Sequence, residues 1–93
     1  MEQTGSSYSL KVFPAMEREA QICFKLLQKS FIVLKIMSGD NLDVRLLINE
    51  VLEPGEQSIL FSYGNLQAGD YRIRLMVNND DAIDIENVNF KIS

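Results

Sequence analysis

The chain has no histidine, no tryptophan and a single cysteine, Cys23. Without histidine it lacks the commonest general base, the commonest zinc ligand, and the Ser/His and Cys/His nucleophile pairs. One cysteine cannot make an intrachain disulfide, so no disulfide framework holds the fold. Basic residues are also few, with nine Lys and Arg against thirteen Asp and Glu for a net charge of −4. They form no cluster, which argues against the phosphate-neutralising patch of a nucleic-acid-binding protein. No apolar run approaches the roughly 18 residues of a membrane-spanning helix, so no membrane span is expected. The opening residues, Met1-Glu2-Gln3-Thr4-Gly5-Ser6-Ser7, have neither the basic start nor the apolar run of a signal peptide. A cytoplasmic protein is expected if Met1 is the true start, and an exported or cell-surface one if the segment belongs to a longer chain.

What is present suffices for one core. The chain has 93 residues, of which 46% are apolar, the size of a single domain. Residues 1–7 read as a flexible lead and residues 8–93 as the domain. The charge is uneven: positions 1–39 carry five basic and three acidic side chains, and positions 40–93 carry four and ten.

The clearest pattern is Leu66-Gln67-Ala68-Gly69-Asp70-Tyr71, followed by Arg72-Ile73-Arg74-Leu75-Met76-Val77. Tyr71, Ile73, Leu75 and Val77 fall on one side, and Arg72, Arg74 and Met76 on the other. A period of two belongs to a strand with one face buried. Leu66, Gly69 and Tyr71 match the corner of immunoglobulin-like sandwiches, where a tyrosine hydroxyl bonds back to the loop before its strand.

Six further strands are predicted. The first is Tyr8 to Phe13, stopped by Pro14 and placed at an edge. Ala20 to Leu27 turns Ile22, Phe24 and Leu26 inward. Phe31 to Met37 turns Ile32, Leu34 and Ile36 inward, and Phe31, Val33, Lys35 and Met37 outward. Asn41, in the turn that follows, is the residue expected at positive φ. Asp43 to Leu52 has a broken alternation at Leu46-Leu47-Ile48, the mark of a bulge; a helix competes there. After the Pro54-Gly55 turn, Gln57 to Ser62 places Ile59 and Phe61 inward. Ile83 to Ile92 places Val88, Phe90 and Ile92 inward. Seven short strands with regular turns predict an all-β, immunoglobulin-like β-sandwich of antiparallel strands.

A family resemblance rests on these residues: Val12-Phe13-Pro14, Ile22-x-Phe24-x-Leu26, Ile32-x-Leu34-x-Ile36, Val44 with Leu47, Pro54-Gly55, Ile59-x-Phe61 and Leu66-x-x-Gly69-x-Tyr71. Their order resembles the C-terminal sorting domains of the bacterial type IX secretion system. It is also similar to the immunoglobulin-like domain of the flagellar hook-capping protein. Where that family carries Pro-Asn-Pro, this chain has Pro14-Ala15-Met16. The resemblance implies a sandwich that acts by protein–protein contact in secretion. A looser likeness, through Leu52 to Glu56 and the Leu66 to Tyr71 motif, is to small sandwich inhibitors of intracellular proteinases. It implies a stand-alone binding module working through loops such as Ser62–Asn65.

The candidate chemistry is sparse. Asn78-Asn79-Asp80-Asp81 with Asp84 and Glu86 offers oxygens for Ca²⁺, yet matches no EF-hand spacing. A solvated hairpin that protects a sheet edge is the stronger reading, and Ca²⁺ is disfavoured. Cys23 has no histidine to activate it. Tyr63 reads as a loop aromatic open to a ligand or to solvent. Arg72 and Arg74 read as a solvated face opposite Asp or Glu on a neighbouring strand. Phe31, Val33, Met37 and Cys23 are expected to form an apolar patch across two neighbouring strands, a candidate interface for a protein partner or for self-association. No catalytic residue, metal ligand or cofactor is assigned, and an enzyme is not expected.

Overall fold

A computed structural model describes residues 8–80 and 82–93. The flexible lead expected at residues 1–7, and Asp81 of the acidic tip, lie outside the described residues. The described residues form seven strands: β1 (Lys11–Pro14), β2 (Glu19–Leu26), β3 (Ser30–Ser38), β4 (Asp43–Leu52), β5 (Gly55–Ser62), β6 (Gly69–Asn78) and β7 (Ile83–Ile92). All paired strands are antiparallel. They make two sheets, one in the order β1-β2-β5 and one in the order β4-β3-β6-β7. The predicted all-β sandwich is the architecture found.

The inward faces are those set by the alternation. From the smaller sheet Ala20, Ile22, Phe24, Leu26 and Phe61 are buried; from the larger, Ile32, Leu34, Ile36, Ile73, Leu75, Val77 and Ile92. Each large apolar side chain withdrawn from water contributes about 1.5–3 kcal/mol. Leu10 joins them ahead of β1. That segment is not continuous strand, because Ser9 sits at φ 54°. β1 therefore begins at Lys11 rather than at Tyr8, although the Tyr8 carbonyl still accepts a bond from the Lys25 amide at 2.7 Å. As expected, β1 lies at a sheet edge.

β4 is a strand, and its broken alternation has a structural cause. Leu34 pairs with Ile48 and Lys35 with Leu46, which leaves Leu47 as an extra residue. Ile36 pairs with Arg45 and Met37 with Asp43, which leaves Val44 as a second one. The bulges let Val44, Leu47 and Ile48 all pack on the core. Between the two shifts Arg45 stands opposite the inward Ile36. At an edge strand its guanidinium can cross to the other sheet: it lies 5.3 Å over the Phe61 ring and donates to the Ser62 carbonyl at 2.8 Å.

The corner is also present. Tyr71 donates its hydroxyl to the Gln67 carbonyl at 2.7 Å, and its ring packs on the core beside Leu66. Gly69 has φ 154° and a Cβ there would meet nothing closer than 4.0 Å, so backbone conformation, not space, selects glycine. Asn41 takes φ 66° in the turn after β3.

A core substitution should separate cleanly from a surface one. Phe24→Ala, at a side chain 2% exposed, is expected to lose about 3–5 kcal/mol in urea unfolding. Leu27→Ala, at one 78% exposed, should change stability by no more than about 0.5 kcal/mol. Equal losses would mean that Phe24 does not fill the core.

Candidate interaction surface

Because alternate residues of a strand point to opposite sides, the larger sheet has an outer face of its own. The register aligns its side chains in rows. The first row is Val51, Phe31, Asn78 and Ile83; the second is Asn49, Val33, Met76 and Ile85. Phe31 is 38% exposed, Val51 52%, Ile83 62% and Ile85 50%. Val33 and Met76 are half-buried between them. Six apolar side chains thus adjoin on one open sheet face. Leaving such a set exposed to water is unfavourable, and contiguous patches of this kind mark contact sites.

Two of the four residues assigned to the patch from the sequence belong to it, Phe31 and Val33. Met37 does not, since it is 4% exposed. It stands in register between Arg72 and Asp43 at the bulged end of β4. The Arg72 arm reaches Asn41 on one side of it, and Lys35 reaches Asp43 at 3.1 Å on the other. Long side chains of that type cover apolar neighbours with their stems. Cys23 does not belong either. β2 and β3 follow each other in the chain but lie in different sheets, so their outer faces are on opposite sides of the molecule. Cys23 is half-buried beside Ser58, with the sulfur 3.8 Å from the hydroxyl oxygen.

Val51, Met76, Ile83 and Ile85 complete the patch. The sequence carries one signal for the last two. Ile83 and Ile85 are in phase with each other but out of phase with Val88, Phe90 and Ile92. β7 pairs with β6 without a shift, so this break in phase moves the apolar side chains from one face to the other rather than bulging the strand.

The same face changes character beyond the second row. The third row is Leu46, Lys35, Arg74 and Asn87, and the fourth is Asp43, Met37, Arg72 and Asn89. Lys35 pairs with Asp43. Arg72 donates to the side-chain oxygen of Asn41, and Arg74 to that of Asn87 at 3.1 Å. Their partners are neutral amides rather than the acidic side chains expected. Among the described residues the ion pairs are Lys35–Asp43 and the exposed Lys29–Glu53 at 3.8 Å, each of the kind worth about 0–1 kcal/mol.

Tyr63 is not an open loop aromatic. Its ring lies 5.9 Å from Phe61 of β5 and 5.3 Å from Phe90 of β7, linking the two sheets. Arg18 covers it at 5.2 Å and donates to the Leu66 carbonyl at 3.0 Å. Arg18 itself has φ 58° in the β1–β2 turn, and its carbonyl accepts from the Tyr63 amide at 2.9 Å. The strand pattern carried no sign of this clamp, because it joins two connections far apart in sequence.

At the acidic tip, Asn79 closes the turn by bonding the Ala82 amide at 3.3 Å. The Asp84 carboxylate accepts the Tyr8 hydroxyl. Among the described residues no three His, Cys, Asp or Glu side chains are grouped to hold a metal ion, and no helix is long and apolar enough to cross a membrane. A comparison with protein-family models finds no match, and neither does one with curated proteins.

Tyr8 bridges the sheets on the side where β1 meets β7. Burial, the bond to Asp84, and the charges of Asp84 and Glu86 push its pKa up from 10.0 to about 12. A raised folded-state value stabilises the fold fully below the unfolded value and loses that contribution as pH rises through the folded one. The stability gap between the parent and Tyr8→Phe should therefore be largest below pH 10.0 and shrink toward pH 12. Urea midpoints across that range test it, and a constant gap would remove the link between Tyr8 ionisation and folding.

Proposed function

We propose that the chain is a non-enzymatic β-sandwich module acting by protein–protein contact through the outer face of its larger sheet. The observation that carries this reading is the patch of Val51, Phe31, Val33, Met76, Ile83 and Ile85, which is apolar, contiguous and open. The described polar groups support it from the other side: Cys23 faces a serine hydroxyl, and Tyr71 and Tyr8 are committed to bonds that hold the fold.

The finer reading is an immunoglobulin-like accessory or sorting domain of an exported bacterial protein, resembling the type IX sorting domains. Two features support the immunoglobulin-like part. One is the tyrosine corner. The other is the strand order, which differs from the constant-type arrangement only in that the fourth strand pairs with the third instead of joining the sheet of the first, second and fifth. The inhibitor-like alternative is less well supported, because the loop it relies on places Tyr63 under Arg18 and against Phe90.

Panning a random-peptide phage library against the folded protein tests the contact reading. Selected peptides should lose binding to Val33→Lys and keep binding to Ser58→Lys, on the opposite face. Peptides that ignore the first change and respond to the second would overturn it. For the sorting role, fusion to an exported reporter should alter its secretion; an unchanged reporter removes that role and leaves the contact reading standing.

A further inference from the structure

The outer face of the larger sheet is divided across its strands. Its first two rows hold six apolar side chains beside Asn49 and Asn78, whereas the next two carry Lys35, Arg74 and Arg72 beside Leu46 and Met37, with Lys91 one pair further along β7. This cationic half belongs to a chain whose net charge is −4. Lys35 is met by Asp43, and Lys91 stands opposite Asp70. The two arginines differ: Arg72 is held by Asn41 and Arg74 by Asn87, and neither is in an ion pair among the described residues. An amide oxygen orients a guanidinium without cancelling its charge, and the fork keeps further N–H groups for a carboxylate. Beside Arg72 and Lys91 lies a shallow cleft of about 500 Å³, also lined by Gly39, Tyr71, Asn89 and Asp70.

Building on the contact reading above, we propose that this face takes an acidic segment of another protein. Its apolar side chains lie on Phe31, Val33, Met76 and Ile85, and its carboxylates meet Arg74 and Arg72. Successive rows are about 7 Å apart, so an extended segment places its acidic residues a few positions from its apolar ones. A second copy of the chain fits less well. A two-fold axis would bring the same face against itself, and of its carboxylates there Asp43 is already paired with Lys35, while Asp70 is the register partner of Lys91.

Fluorescence anisotropy with two labelled synthetic peptides tests this. One has four aliphatic residues followed by four glutamates, and the other has lysines in place of the glutamates. The acidic peptide should bind the parent with a dissociation constant below about 1 mM, and more weakly as salt screens the charges. The lysine peptide should bind at least about tenfold more weakly, as like charges oppose it. Joint Arg72→Gln and Arg74→Gln, which keep a polar side chain and remove the charge, should cut acidic-peptide binding severalfold with an unchanged circular dichroism spectrum. The salt response of the parent needs no variant.

If the acidic peptide fails to bind, or both peptides bind alike, the acidic assignment is overturned. If both bind alike and both are lost in Val33→Lys, the contact reading survives without it. If binding ignores Val33→Lys as well, both fail together. A parent that sediments as a dimer unmoved by the acidic peptide makes a second copy the occupant, and overturns the proposal too.

Discussion

Everything in this molecule depends on the seam where two apolar sheet faces meet. Ile22, Phe24 and Leu26 of β2 lie across from the row built by β3 and β6: Ile32, Leu34, Ile36, Ile73, Leu75 and Val77. No disulfide supports this seam, since Cys23 is alone. Stability must come from area withdrawn from water and from close packing. That requirement explains the irregularities. β4 bulges twice, and the result is that Val44, Leu47 and Ile48 all reach the core from an edge.

The margins of the seam are closed by polar groups working across the two sheets. On the β4–β5 side Arg45 bonds the Ser62 carbonyl and covers Phe61. On the β1–β7 side Tyr8 bonds Asp84. The Arg18 guanidinium covers Tyr63, whose ring spans from Phe61 to Phe90. These contacts sit where apolar packing runs out and water begins. There an amphipathic side chain can bury its body and still satisfy its polar end. With the inside sealed in this way, a contiguous set of apolar side chains is left on the outer face of the larger sheet, beside arginines held by amides, while Phe13, Met16, Leu27, Leu42 and Leu60 are exposed elsewhere.

How much of this was legible beforehand varied with the range of the interaction. The Tyr71 corner, the bulge at Leu47 and the positive φ of Asn41 are local, and neighbouring residues announce them. Half of the expected patch failed for a non-local reason. Cys23 and Phe31 are eight positions apart, yet the connection between their strands crosses from one sheet to the other. Met37 has the outward phase of Phe31 and Val33, but the arms of Arg72 and Lys35 run past it. Phase tells which side of a sheet a side chain takes, not what lies over it. Ile83 and Ile85 show the reverse case, since their change of phase was visible but readable as a bulge until the pairing with β6 was known.

The sequence by itself determined that the chain is a sandwich of alternating strands, which residues face inward, and that histidine-based chemistry is absent. Alternation is a property of the extended backbone, so it needs no partner strand to be read. Only the tertiary structure decided which strands share a sheet, that Tyr63 and Arg18 belong to the frame, and that Val51, Phe31, Val33, Met76, Ile83 and Ile85 form one surface. Those facts depend on pairing between residues distant in sequence. Such pairing follows from how the whole core closes, not from any single segment.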